Sequence, residues 1–223
     1  MSGAGRDRIL AALRATARAS APSRTIARVV PARARGDHAA LVTRFVEMAD
    51  LAGASVARVA DAAGAPGAVA GYLARNGLGE DLVLAGEPAL SALPWHHAPR
   101  LLVHRRPPLP TDRVSVTGAV AGVAETGTVL VRSGAQVANA LHVLAEAHIV
   151  VLDAGAIVGS YEEAWARLVA GGEVPRAATF ITGPSRTADI EKTPQIGVHG
   201  PKGLHIVLIH DSEGLHRRGG AAT

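Results

Sequence analysis

Ser185–Ile209 reads SRTADIEKTPQIGVHGPKGLHIVLI. Its last six residues, LHIVLI from Leu204 to Ile209, are apolar on both faces apart from His205. A strand reads this way when it lies inside a parallel sheet with both faces covered. The residues before it are of another kind, gathering Asp189, Glu191, Lys192, His199 and Lys202, and the two lysines are the only ones in the chain. Ligands in open α/β sheets sit beyond strand ends, so the segment reads as a ligand cradle. Capping and hairpin chemistry accounts for the same residues equally well. Thr187 can cap a short helix whose first turn holds Asp189 and Glu191, stopped by Pro194. In an extended QIGVHG, Gln195, Gly197 and His199 share a face, and GPKG (200–203) has the chemistry of a type I turn.

Upstream, helices and strands alternate. HAALVTRFVEMADLAG reads as a helix capped by Asp37 and ended by Gly53, ASVARVA as a strand, and DAAGAPGAVAGYLARNG as a helix broken or delayed by Gly64, Pro66 and Gly67. EDLVLAG and LLVH are short strands. VSVTGAVAGVAETGTVLVRS carries the richest β signal. Read as one strand, it puts Val114, Val116, Gly118, Val120, Gly122 and Ala124 on one face, its glycines marking bends or close backbone approach. HIVVLD, AIVGS and AATFITG follow as strands, and SYEEAWARLVAGG as a helix with Ser160 and Glu163 in a capping box. This order predicts an α/β fold with a mostly parallel sheet and added antiparallel strands.

Composition agrees. Hydrophobic residues make up 48% of the 223 residues but aromatics only 3%, so the core is built from Val, Leu, Ile and Ala. There is no cysteine, which excludes disulfides, thiolate metal sites and cysteine-held iron–sulfur clusters on this chain, and is compatible with the cytoplasm. No apolar run reaches the ~18 residues needed to span a bilayer. The net charge of +4 is uneven: residues 1–36 carry eight Arg and one Asp, so the remainder is at −3. That distribution, with no aromatic interleaving, argues against nucleic acid. In the basic arm Ile9, Leu10, Leu13 and Ala17 recur at helical spacing, predicting an amphipathic surface helix. The organisation expected is a basic helix and connection over 1–36, a main domain over 37–212 and a flexible tail over 213–223.

Glu125 stands out inside an apolar strand pattern, beside Thr126, Gly127 and Thr128. A buried carboxylate there needs a partner, and Gly127 can let a ligand approach the backbone. Glu125 therefore reads as a nucleophile, base or ligand anchor, or else as a water-exposed residue at a hairpin tip. The histidines are weaker signals: His96 and His97 are adjacent and expected to diverge, and no metal-ligand spacing occurs.

The motifs ETGT (125–128), HIVVLD (148–153) and GPSRTADIEKTPQIGVHGPKGLHIVLI (183–209) together resemble the LUD domain family, in its lactate utilization protein C branch. The resemblance implies a three-layer sandwich similar to the NagB/RpiA/CoA-transferase group. It implies a role in oxidising L-lactate to pyruvate, as a substrate-binding or accessory subunit beside two iron–sulfur-bearing proteins. By motif, Glu125 is the candidate catalytic residue. Thr126, Gly127, Thr128, Ser185, Arg186, Thr187, Asp189, Glu191, His199 and Gly200 are candidate contacts for a small carboxylate, CoA or phosphate-type anion. Asn139 and Ala145 stand where relatives often carry arginine and proline, leaving Arg132 or Arg186 to take an acid. A CoA-transferase-like, sugar-phosphate- or folate-binding enzyme using Glu125 is the alternative, and a carboxylate sensor a third reading.

Overall fold

The computed structural model describes residues 3–18, 30–172, 175–188, 194–197 and 199–211. The flexible tail expected over 213–223 lies outside them, as do Asp189 and Glu191. The chain divides into two compact units, Met1–Val30 and Pro31–Thr223. In the smaller, Gly3–Arg18 form helix α1, on which Ile9 and Leu13 are exposed. Residues 31–36 fall in the larger unit, where Ala34 is buried.

The larger unit opens with α2 (His38–Leu51), whose first turn is closed by the Asp37 carboxylate accepting from Ala40 N–H at 2.8 Å. β1 (Ser55–Asp61) and α3 (Ala65–Asn76) follow. Pro66 sits in the first turn of α3, where its missing N–H costs nothing, so the prolines and glycines delay this helix rather than break it. Then come β2 (Asp81–Leu84), α4 (Pro88–Ser91), β3 (Leu102–His104), β4 (Val114–Gly118), β5 (Ala121–Val123), β6 (Thr128–Arg132), β7 (Ala147–Asp153), β8 (Ile157–Val158), α5 (Tyr161–Ala170), β9 (Ala178–Ile181), β10 (Arg186–Ala188), β11 (Pro194–Ile196) and β12 (Gly203–Asp211).

The main sheet has six parallel strands in the order β1-β12-β7-β4-β2-β3. β12 is interior, as its two-sided apolar pattern requires. A second sheet, β8-β5-β6-β9, is largely antiparallel, and β10–β11 form a two-stranded antiparallel ribbon. One face of the main sheet packs Ile149, Val151, Val207 and Ile209 against α3 and α4 through Val69, Leu73 and Leu90. The other packs Val150, Leu152, Ile206 and Leu208 against α2 and the second sheet through Phe45, Val129 and Val131. α5 covers the outer side of the second sheet through Ala164 and Leu168. The result is a mixed α/β sandwich with a mostly parallel sheet plus antiparallel strands.

Four local expectations are corrected. VSVTGAVAGVA is not one strand: Ala119 N–H still bonds to Val151 O of β7, but Val120 N–H bonds to Leu130 O of β6. The chain changes sheets between these two residues. Gly122 permits the crossing, because a Cβ there would press on Phe45 and Leu152. Arg186–Ala188 is a strand, so no helix begins at Ala188; Pro194 opens the facing strand, and the helical turn expected around Asp189 and Glu191 lies outside the described residues. Proline is tolerated at such an edge because it has no amide to contribute. The QIGVHG strand ends at Ile196, since Gly197 turns to φ 81°. His96 and His97 do not diverge, for their rings pack edge to face with centroids 4.5 Å apart.

Candidate functional site

β7 and β12 run parallel with Ala147 opposite Gly203 and His148 opposite Leu204, so their amino ends lie side by side. The segment that enters β12 therefore lies at the amino rim of the sheet, not at the carboxyl rim where open α/β sheets usually bind ligands. A cavity of about 580 Å³ opens here, its walls including His142, His148, Thr182, Ser185 and Arg186. His142 ends a 3-10 turn spanning Asn139–His142. His148 is fully buried on β7, and its Nε2 meets the hydroxyl of buried Thr117 on β4 at 2.8 Å. His148 Nδ1 and both ring nitrogens of His142 find no hydrogen-bond partner among the described residues. Burial drives the His142 pKa down to about 4. Burial, then the neighbouring His142, drives His148 down to about 3. Both imidazoles are thus neutral at pH 7, each offering one donor and one acceptor. An unmet polar group in such a place costs about 1–3 kcal/mol. A polar ligand that reaches these nitrogens recovers that cost.

Arg186 supplies the positive charge of this cavity. Its guanidinium lies over Gly53, just past the end of α2, where any Cβ would overlap it. Gly183 (φ 74°) lets the preceding turn touch the Ala52 carbonyl.

His199 and Gly200 line a separate cavity of about 570 Å³ with Asp112, Arg113, Glu146 and Lys202. There Glu146 accepts from Arg113 Nε at 2.9 Å and lies 3.5 Å from Lys202 Nζ. The Glu146 carbonyl also accepts from Lys202 and Gly203 N–H, contacts that fix the GPKG turn from outside. Ser185 links the two cavities: its N–H donates to Pro201 O and its carbonyl accepts from Gly197 N–H, both at 2.9 Å.

The ETGT residues lie at the tip of the β5–β6 hairpin. Glu125 is at this tip yet only 8% exposed, its Oε1 accepting from Arg33 Nε at 2.9 Å and Nη2 at 2.7 Å. It lines neither cavity. Gly127 (φ 66°) sits against the α2 backbone at Met48 and Ala49, so its freedom serves packing between elements. Thr126, Thr128, Tyr161 and Thr182 share hydroxyl contacts of 2.6–3.0 Å. This network ties the hairpin to α5 and, through Thr182, to the first cavity. Thr187 lies on β10, opposite Gln195. His142, His148 and Thr117 were missed by sequence reasoning; the available signal was a polar residue interrupting each of two buried strands.

Among the described residues, no group of His, Asp and Glu is placed to hold a metal ion, and no helix is long and apolar enough to cross a membrane.

A family model described as the LUD domain matches residues 42–209. Lactate utilization protein C of Deinococcus radiodurans is 32% identical over 154 residues, 66% of this chain and 70% of that protein. Lactate utilization protein C of Geobacillus kaustophilus is 36% identical over 93 residues, 40% of this chain and 39% of that protein, so the match spans about two fifths of its length. The crystal structure of a DUF162 family protein from Deinococcus radiodurans superposes with a TM-score of 0.60 at 24% identity, covering 78% of this chain and 99% of that one.

Proposed function

Because the chain belongs to the LUD domain family, we propose that it serves lactate utilization. It does so as the substrate-binding or accessory subunit of a cytoplasmic system that oxidises L-lactate to pyruvate beside two iron–sulfur partner proteins. The observation that supports this reading is the cavity at the amino ends of β7 and β12. Arg186 offers a cation for a carboxylate, and the neutral His142–His148 pair offers an acceptor for a 2-hydroxyl group. The cavity exceeds a three-carbon acid, leaving room for the partner group that takes the electrons. With no cysteine in the chain, thiolate-held clusters belong on the partners.

Calorimetry of the isolated chain with L-lactate, pyruvate and CoA tests the reading. The expected result is binding of lactate or pyruvate, weakened roughly tenfold or more in Arg186→Ala by loss of a charge-assisted bond, with no lactate turnover by the chain alone. Turnover with a simple electron acceptor would remove the accessory role. Binding of CoA alone, with an activity abolished by Glu125→Gln, would favour the transferase-like alternative, which requires the Arg33–Glu125 pair to open.

A further inference from the structure

The geometry points to a second ligand site, at the carboxyl ends of β2 and β4, for a small hydroxylated organic anion held between Glu87 and Arg132. The two strands are neighbours and part here. From β2 the chain passes to α4 on one face of the main sheet; from β4 it crosses to the second sheet on the other. Adjacent parallel strands whose connections leave for opposite faces open a crevice between them, and this is where such sheets receive ligands.

The hydrogen bonds record the parting. Ala85 N–H still reaches Val116 O at 2.9 Å and continues the β2–β4 ladder. Two residues on, Gly118 N–H has no ladder partner from β2 and donates to Glu87 Oε2 at 2.7 Å. Gly118 favours this approach, since a Cβ would stand 3.0 Å from Glu87 Oε1 and make the carboxylate give way by a few tenths of an ångström. Among the described residues no hydrogen bond is made to Oε1. The carboxylate thus has one oxygen anchored to the backbone, and Glu87 lines a cavity of about 860 Å³.

Arg132, at the end of β6, lies on the same wall system. It is near enough for its charge to act on Glu87, though the two form no ion pair. Burial raises the Glu87 pKa, opposed by the Gly118 bond and by Arg132. A cation and a partly dehydrated carboxyl facing one cavity without closing on each other leave space for a third group. Gln136 and Asn139 add neutral hydrogen-bonding side chains, while the Ser133 hydroxyl is engaged by the Ala177 backbone. Arg132 suits the anionic end of a ligand, and Glu87 with the neutral side chains suits its hydroxyls. The volume is within the range of about 300–1,000 Å³ typical of small-molecule sites. The site shares no lining residue with the cavity of Arg186 and stands independently of the lactate reading.

The anion can be a carboxylate or a phosphate, and the test separates them. The full chain is titrated with glycerate, glycerol 3-phosphate and glycerol, in wild type, Arg132→Ala, Glu87→Gln and Arg100→Ala. Arg100 is an exposed arginine away from this cavity and controls for net charge. Gln at position 87 keeps an oxygen for Gly118 N–H, so the variant retains the fold, checked by circular dichroism. The expected result is binding of one anion and not of glycerol, weakened roughly tenfold or more by Arg132→Ala and severalfold by Glu87→Gln, with Arg100→Ala like wild type. Failure of both anions to bind at millimolar concentration overturns the site, as does binding that neither Arg132→Ala nor Glu87→Gln alters.

Discussion

The rings of His142 and His148 stand 5.5 Å apart, centroid to centroid, and neither is protonated at neutral pH. A third buried histidine, His205, stacks on Tyr72 at 4.2 Å and pairs its Nδ1 with Ser55 Oγ at 2.8 Å. Burial, reinforced by the Arg75 charge, lowers its pKa to about 4. In each case the folded pKa lies below the unfolded value of about 6.5, so the unfolded chain takes up protons first as pH falls. Stability is unaffected by these groups above pH ~7 and declines as pH falls from about 6.5 toward the folded values, about 4 for His142 and His205 and about 3 for His148, by about 2.5 kcal/mol per histidine at pH 4.5. Thermal melts from pH 8 to 4.5 should show this decline, and His148→Gln should reduce it by about a third. A melting temperature constant over that range would contradict the buried, neutral state of all three.

Arg33 and Glu125 join the segment before α2 to the β5–β6 hairpin. The Glu125 side chain is 10% exposed and that of Arg33 64%, so removing the arginine strands the carboxylate at a site with little water. Arg33→Ala is expected to cost about 1–2 kcal/mol in urea denaturation. Glu125→Gln, which removes the charge but keeps an acceptor for Arg33, should cost less. Equal losses in the two variants would mean that the pair acts as packing alone.

Gly127 packs against α2 at Met48–Ala49, and Gly183 against Ala52, the residue that closes that helix. Each has positive φ, and a Cβ at either would overlap backbone of α2 or of Ala52 at its end. Backbone strain of about 1 kcal/mol thus adds to a clash that only movement of α2 relieves. Ala at either position is expected to lower stability by more than 2 kcal/mol, whereas Gly172→Ala, with positive φ but open space, should cost about 1 kcal/mol.

How far the sequence foretells this molecule depends on how local the deciding interaction is. The Asp37 cap and the buried β12 are set by near neighbours and can be read from the chain directly. The β4–β5 crossing is not, because Val120 bonds to Leu130 where the pattern offered continued pairing with β7. Thr187 has the chemistry of a cap, yet its segment is claimed by pairing with Gln195. At the candidate site, Ser185 and Arg186 are legible as motif residues, and the cavity between them and His148 is not. His148 and Arg186 are brought together by the registry of β7 with β12, by the Ser185–Pro201 hydrogen bond and by the seat of Arg186 over Gly53. ETGT announces itself as a motif, but its contacts with Arg33, α2 and Tyr161 give it the work of fastening elements together.

The capping box of α5 is unequal in its two halves. Ser160 Oγ accepts from Glu163 N–H at 3.4 Å, a long contact. Glu163 Oε2 accepts from Gly159 N–H at 2.7 Å and Ser160 N–H at 3.1 Å. Two backbone donors therefore rest on the glutamate and one on the serine, and a charged acceptor makes the stronger bond. The carboxylate also sits at the positive end of the helix dipole. Glu163→Ala is expected to cost about 1–2 kcal/mol and Ser160→Ala about 0.5–1 kcal/mol, the reverse of the emphasis usually given to the N-cap residue. Because Ala164 and Leu168 cover the second sheet, the loss should appear as a lower urea midpoint with an unchanged slope. A larger loss in Ser160→Ala than in Glu163→Ala would show that the shorter contacts are not the stronger ones here.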